Sequence, residues 1–245
     1  MAIQTESIEI SVDGASMGGY LARPEGGGPF PGVIVWMEIF GVNSHIRDIT
    51  ERIAALGYVA LAPDFFHLTA PGIELDYDET GFEEGMKNLS LLDADQMVAD
   101  ARAAFAFLGE RSDVTAKIGT IGFCIGGHMA YLTACETDVV AAAPFYGGGI
   151  AAPEGPGGKE PTLSRTGKIG GRILCMFGGQ DLLIPSDQVA SITSALEGAK
   201  TRHEVVVYEP ADHGFFCDQR ATYHEESAAN AWQRVEALFA EELAS

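Results

Sequence analysis

The chain has 245 residues, 47% of them hydrophobic and 20% charged, which is the composition of a globular protein and excludes a wholly disordered one. With 15 lysines and arginines against 35 aspartates and glutamates, the formal net charge of −20 argues against nucleic-acid binding and against docking on an anionic membrane. No stretch approaches the ~20 apolar residues of a membrane span, and the opening residues lack the basic and apolar segments of a signal peptide, so we expect a cytoplasmic protein.

The predicted elements begin with an antiparallel hairpin. Residues 7–12 alternate polar and apolar side chains, Asp13-Gly14 suits a tight turn, and residues 17–22 supply the second strand. The pattern then changes, because residues 33–37 form a short continuous apolar run. Such a run is expected of a strand that is buried on both faces of a parallel sheet.

Strands and helices then alternate to the end of the chain. Predicted strands cover residues 58–62, 117–123, 139–146, 172–177 and 205–208, and predicted helices cover residues 44–56, 94–108, 126–134, 189–196 and 225–243. This alternation predicts an α/β protein with a mainly parallel central sheet flanked by helices, in a single domain spanning residues 1–245. Two stretches, 65–93 and 147–171, interrupt the pattern, and we expect them to form loops that wall the ligand site.

The motif Gly122-Phe123-Cys124-Ile125-Gly126-Gly127 joins a predicted strand to a predicted helix. This is the context of a nucleophile elbow, Gly-x-nucleophile-x-Gly, in which small neighbours permit a strained turn. Cys124 occupies the nucleophile position, and a thiolate there is stabilised by the helix N-terminus. Two other interpretations stay open at this point. The glycines could belong to a dinucleotide-binding turn, although Cys124 replaces a glycine that it needs, or Cys124 could be a buried structural thiol.

An acid and a base follow in the order nucleophile, acid, histidine. Asp181 comes after the predicted strand 172–177, and His213 comes after the predicted strand 205–208. Both therefore lie beyond the carboxyl ends of strands, where open α/β sheets bind ligands. Taken alone, Asp181 could cap a turn and His213 could be incidental. His128, one turn into the helix after Cys124, is expected to pack beside the site.

The remaining thiols and imidazoles predict no metal site. The four cysteines include no Cys-x-x-Cys pair, and no two histidines have the spacing of zinc ligands. We therefore expect free thiols and no metal.

Taken together, five blocks of the sequence resemble the dienelactone hydrolase family, which has the α/β-hydrolase fold. The blocks are residues 38–43, 62–64, 122–127, 178–181 and 213–215. The resemblance implies hydrolysis of lactones and esters without a cofactor, by a triad matching Cys124, His213 and Asp181. It also implies that Glu38 contacts the resting thiol and helps to generate the thiolate. The backbone N–H groups of Ile125 and Ile39 would form the oxyanion hole.

One departure from the family concerns the substrate. Family members that act on dienelactone bind its carboxylate with two arginines. Here Cys217 stands four residues after His213, where one arginine is expected, and residues 76–84 contain five carboxylates and no arginine. Four residues remain as candidate substrate contacts: Phe40, Lys87, His128 and Arg220.

The leading hypothesis is a hydrolase that cleaves a lactone or small carboxylic ester, with dienelactone-like compounds among the candidate substrates. We expect this hydrolase to act as a monomer or small homo-oligomer, without a nucleic-acid or membrane partner. The alternative is a non-hydrolytic member of the same fold that uses Cys124 in thiol-redox chemistry or small-molecule binding. A third hypothesis, a nucleotide-binding domain, lacks the glycine fingerprint and a basic phosphate-binding cluster.

Overall fold

The computed structural model describes residues 1–154, 156, 158 and 160–244. The strands in this part of the chain are β1 (Ile3–Val12), β2 (Ala15–Pro24), β3 (Phe30–Trp36), β4 (Val59–Pro63), β5 (Val114–Phe123), β6 (Ala141–Phe145), β7 (Arg172–Gly178) and β8 (Arg202–Tyr208). The α-helices are α1 (Ser44–Ala55), α2 (Glu79–Leu89), α3 (Ala94–Gly109), α4 (Ile125–Glu136), α5 (Ser186–Gly198) and α6 (Glu225–Glu242). A 3₁₀ helix covers Thr162–Lys168.

The strands form one sheet in the order β1-β2-β4-β3-β5-β6-β7-β8. The pairs β1–β2 and β2–β4 are antiparallel, whereas β4, β3, β5, β6, β7 and β8 run parallel to one another. All residues of β4 and β6 are buried, as expected where helices cover both faces of a parallel sheet. The predicted α/β class, with a mainly parallel sheet and an N-terminal hairpin, is confirmed.

Local sequence explains the first elements. Asp13 and Gly14 both have positive φ, 47° and 86°, the combination that a two-residue hairpin turn of the primed type requires. Helix α1 begins after Asn43, whose side chain accepts a hydrogen bond from the N–H of Ile46 at 3.2 Å. Gly57, with φ of 102°, lies just beyond the helix, where a left-handed residue commonly ends it.

The interval 65–93 differs from its prediction as a loop, because it contains α2. The side chain of Asp78 caps this helix by accepting from the N–H of Gly81 at 2.8 Å. Two glycines within α2 lower its helical propensity, but Gly85 is required because a Cβ there would lie 2.7 Å from the carbonyl oxygen of Ile39. Tertiary packing therefore overrides the local signal and brings α2 against the segment that follows β3.

Helix α4 anchors the second interval, 147–171, which holds the 3₁₀ helix instead of being wholly loop. His128 bonds through Nδ1 to the carbonyl oxygen of Gly148 at 2.9 Å and through Nε2 to Oγ1 of Thr162 at 2.7 Å. The side chain of Glu136, buried at the end of α4, accepts from Arg165 at 2.6 Å. These contacts join described residues of the interval to both the first turn and the last residue of α4.

In the part of the chain that the structure describes, no helix has the length and apolar character needed to cross a membrane.

Candidate active site

Cys124 lies in the turn between β5 and α4, partly exposed, with φ of 57° and ψ of −122°. A non-glycine residue with positive φ is strained, and such strain persists where the surrounding structure enforces it. A Cβ on Gly122 would overlap the carbonyl oxygen of Gly126, and a Cβ on Gly126 would overlap that of Met37. Only glycine fits at these two positions, so the turn has the close packing of a nucleophile elbow.

His213 is oriented by Asp181. Its Nδ1 lies 2.8 Å from Oδ2 of Asp181, and both side chains are buried. The other carboxylate oxygen of Asp181 accepts from the N–H groups of Leu183 at 2.8 Å and Ile184 at 3.3 Å, which fixes the carboxylate in its loop after β7. Among the described residues, Nε2 of His213 has no hydrogen-bond partner of normal geometry, so this nitrogen is left for Cys124 and for a substrate.

The charge of His213 depends on its two neighbours. Burial disfavours the protonated ring, but the negative charge of the Cys124 thiolate and the hydrogen bond to Asp181 outweigh it and raise the pKa of His213 to about 10. An imidazolium beside a thiolate is the arrangement that activates a cysteine nucleophile. The His213 ring is therefore expected to be protonated at neutral pH.

Glu38 lies just after β3 and is fully buried. One of its oxygens accepts from Nη1 of Arg220 at 3.1 Å, and the other accepts from the hydroxyl of Tyr77 at 3.0 Å. Burial, together with the charge of Glu38, raises the pKa of Tyr77 above its ordinary range, so the hydroxyl remains a neutral donor. The described hydrogen bonds include none between Glu38 and Cys124, and a direct role of Glu38 at the thiol stays a prediction.

Arg220 is held in place on several sides. Besides the bond to Glu38, its guanidinium lies 5.6 Å from the ring centre of Phe40 and 5.9 Å from that of Tyr77. It also packs directly on Gly214, where a Cβ would overlap the guanidinium. Its positive charge is thus compensated by a buried carboxylate.

The two predicted oxyanion donors come from neighbouring segments. Ile125 is the first residue of α4, where an N–H has no acceptor within the helix, and Ile39 follows Glu38. The hydrogen bonds of the described chain include none donated by either N–H. The close approach of Gly126 to Met37 brings the start of α4 against the segment that carries Ile39. Their joint role as an oxyanion hole stays a prediction.

A cavity of about 190 Å³ opens above these groups. Its described lining consists of Ile39, Phe40, Phe82, Met86, Leu89, Cys124, Ile125, Gly148, Gly149, Pro156, Leu183, His213 and Arg220. Among these residues, polar side chains are contributed by Cys124, His213 and Arg220 alone. The remaining wall is apolar, and α2 supplies much of it.

Two of the predicted substrate contacts lie away from this lining. Lys87 is exposed on α2 and bonds to Glu84 at 3.0 Å. His128 is buried with both ring nitrogens bonded, and burial lowers its pKa to about 4, so the ring stays neutral and supports the wall from behind.

Sequence reasoning missed Tyr77 and the apolar face of α2. The residues Phe82, Met86 and Leu89 recur at helical spacing, which is the signal that could have revealed this face. Tyr77 has no comparable signal, because its partner Glu38 lies 39 positions away in the chain.

Comparisons with known proteins agree on one family. A sequence profile of the dienelactone hydrolase family matches residues 17–243. A protein of Synechocystis sp. named "Putative carboxymethylenebutenolidase" is 44% identical over 243 residues, covering 98% of this chain and 98% of that protein. The carboxymethylenebutenolidase of Pseudomonas putida is 32% identical over 232 residues, covering 94% of each chain. A crystal structure described as "Putative Dienelactone Hydrolase" from Klebsiella pneumoniae superposes with a TM-score of 0.87 at 36% identity, covering 98% of this chain and 100% of that one.

Proposed function

The chain belongs to the dienelactone hydrolase family and is a carboxylic ester hydrolase, and from this premise we propose that it cleaves a lactone or small ester through a thioester formed on Cys124. The observation that carries the proposal is the bond between Asp181 and Nδ1 of His213, which leaves Nε2 without a hydrogen-bond partner among the described residues, beside a strained, partly exposed thiol. This is the arrangement of nucleophile, base and orienting acid that acyl transfer requires.

In the acylation step, the Cys124 thiolate attacks the acyl carbon and the carbonyl oxygen becomes an oxyanion. The N–H groups of Ile39 and Ile125 donate to this oxyanion. The tetrahedral intermediate then breaks its C–O bond, and the His213 imidazolium donates its Nε2 proton to the departing alkoxide. In a lactone, the alcohol formed in this way stays attached to the acyl group. Each oxyanion donor in such a site typically contributes ~10²–10³ in rate.

In the deacylation step, neutral His213 accepts a proton from water through Nε2 while the water oxygen attacks the thioester carbon. The second tetrahedral intermediate expels the Cys124 thiolate and releases the acid. The imidazolium and the thiolate of the resting enzyme are thereby restored. Asp181 keeps Nδ1 protonated throughout, so that Nε2 is the nitrogen that exchanges the proton.

The residues that line the cavity support the proposal of an uncharged substrate with an apolar acyl portion. Apart from the triad residues, the polar side chain of its described lining is Arg220, whose charge is already compensated by Glu38. A substrate carboxylate that took Arg220 from Glu38 would leave a fully buried carboxylate with Tyr77 alone, and an unpaired buried charge costs roughly 3–5 kcal/mol. The relatives are named for carboxymethylenebutenolide. For this chain we propose a neutral lactone or ester instead.

The test is a comparison of kcat/KM for dienelactone and for neutral p-nitrophenyl acetate, in the wild type and in Cys124→Ala. We expect the neutral ester to be the better substrate and Cys124→Ala to be inactive on both. Quenching during turnover should trap an acyl adduct whose mass maps to the peptide containing Cys124. Ester hydrolysis that survives Cys124→Ala would contradict the proposed mechanism. Absence of hydrolysis of either ester would favour the alternative, in which Cys124 serves thiol-redox chemistry or ligand binding.

A further inference from the structure

A second group of chemically active side chains lies outside the triad. His45 stands at the start of α1, and Cys217 and Asp218 lie in the segment between His213 and α6. One donor atom from each of the three lies within 4.8 Å of the donor atoms of the other two. His45 and Cys217 are buried, whereas the Asp218 side chain is 70% exposed. A surface depression of about 430 Å³, lined by His45 and Asp218 among others, gives access from solvent.

His45 has an unsatisfied imidazole. Its side chain is only 3% exposed, and within the described part of the chain its Nε2 has no hydrogen-bond partner. Its Nδ1 lies 4.0 Å from Oδ1 of Asp218, which is too far for a hydrogen bond. The rings of Tyr77, Phe123 and Phe216 surround it with centroids 6.0–6.4 Å away. Nδ1 is therefore the ring nitrogen that faces the Asp218 carboxylate, and no hydrogen bond to a described residue occupies it.

We propose that His45, Cys217 and Asp218 bind a divalent cation of the zinc class. An imidazole nitrogen, a thiolate sulfur and a carboxylate oxygen form a donor set that zinc accepts, whereas calcium and magnesium take oxygen ligands. Three protein ligands leave a fourth tetrahedral position for water. Binding replaces the thiol proton of Cys217, which is released to solvent, with the cation.

Binding requires the three donor atoms to move closer together. Tetrahedral bonds of zinc to nitrogen, oxygen and sulfur place ligand atoms roughly 3.3–3.8 Å apart. The separation of 4.0 Å between His45 and Asp218 must therefore shrink by a few tenths of an ångström, and the exposed Asp218 side chain is free to move. The spacing rules applied to the sequence predicted no metal site, because His45 lies 172 positions before Cys217 and only folding brings it to Cys217 and Asp218.

Cobalt provides a direct test, since a thiolate bound to Co²⁺ absorbs in the near ultraviolet and tetrahedral Co²⁺ absorbs strongly in the visible. Co²⁺ is titrated into the full chain carrying Cys124→Ala, so that the catalytic thiol does not contribute. We expect one equivalent to produce both absorptions and Zn²⁺ to abolish them. Cys217→Ser should remove the near-ultraviolet band, and Asp218→Asn should weaken Co²⁺ binding at least tenfold.

Matched controls separate binding from folding. His203→Gln and Asp138→Asn change the same residue types elsewhere and should leave the titration unchanged. Because Asp218 is exposed, Asp218→Asn keeps the fold even if Cys217→Ser does not. Absence of a thiolate band, or a band that persists unchanged in Asp218→Asn, would overturn the proposal. So would a crystal grown with Zn²⁺ that shows only a water molecule between His45 and Asp218.

Discussion

The buried carboxylate of Glu38 and the guanidinium of Arg220 form an ion pair at 3.1 Å beside the substrate cavity, although 182 positions separate them in the chain. The carboxylate of Glu38 compensates the charge of Arg220 in the cavity lining, and the pair connects the segment after β3 with the segment after His213. The ion pair accounts for the position of Arg220 without a bound substrate.

Removing one partner of this pair should destabilise the protein more than removing both. Arg220→Gln leaves the fully buried Glu38 with Tyr77 as its donor, and we expect a loss of about 3 kcal/mol in the free energy of unfolding. Urea denaturation of the single variants and of the double variant Glu38→Gln/Arg220→Gln measures the coupling. The double variant should recover much of the loss.

Lys87→Gln is the control, because it breaks the exposed pair with Glu84, and it should change the free energy of unfolding by no more than about 0.5 kcal/mol. Additive losses in the double variant would show that the two charges act independently.

Asp181→Asn should reduce kcat/KM for a neutral ester by about 10³–10⁴-fold, because the amide no longer holds His213 in the tautomer that leaves Nε2 as the base. The Asn side chain retains an oxygen that can accept from Leu183 and Ile184, so the loop is expected to keep its shape. The matched control is Asp187→Asn, an exposed aspartate in the first turn of α5, which should retain wild-type activity. An activity of Asp181→Asn within tenfold of the wild type would contradict the orienting role.

The protonation of His213 should depend on Cys124. The pKa of His213 is raised to about 10 from an ordinary value of 6.5, so the ring should remain protonated at pH 8 in the resting enzyme. In Cys124→Ala the thiolate charge is lost and the pKa should fall, with Asp181 still supporting the charged form. Nitrogen chemical shifts of labelled histidine, followed from pH 5 to about pH 11, report the change directly. Identical titrations of His213 in the two proteins would show that no thiolate pairs with the ring.

The raised pKa of His213 also predicts how the free energy of unfolding changes with pH. A pKa that is higher in the folded state stabilises the fold when the group is protonated. The contribution of His213 is therefore fully present below about pH 6.5 and is lost as the pH rises through about 10. Urea unfolding at several pH values should show the wild type losing its advantage over His213→Gln across that interval. An advantage that grows with pH would contradict the direction of the shift.

The parts of the molecule that follow from local patterns could be predicted from the sequence. The hairpin turn at Asp13 and Gly14, the start of α1 after Asn43 and the Cys124 turn each depend on residues that are adjacent in the chain. The pairing of Glu38 with Arg220 and Tyr77 could not be predicted, because it depends on contacts between distant segments. Helix α2 was missed for a related reason, since Gly85 weakens its local signal while serving its contact with Ile39.

Helix α2 carries the last prediction, which concerns the acyl portion of the substrate. Phe82 and Met86 line the cavity and are each partly exposed, at 44% and 42%, so a substrate that covers them gains apolar burial. Phe82→Ala should lower kcat/KM for p-nitrophenyl butyrate about fivefold while changing that for the acetate much less, because the longer chain reaches the helix. The matched control is Leu182→Ala, because Leu182 is 93% exposed and lies outside the described lining. This variant should leave the ratio of kcat/KM for the butyrate to kcat/KM for the acetate unchanged. Equal losses on both esters in Phe82→Ala would mean that α2 shapes the cavity without contacting the acyl chain.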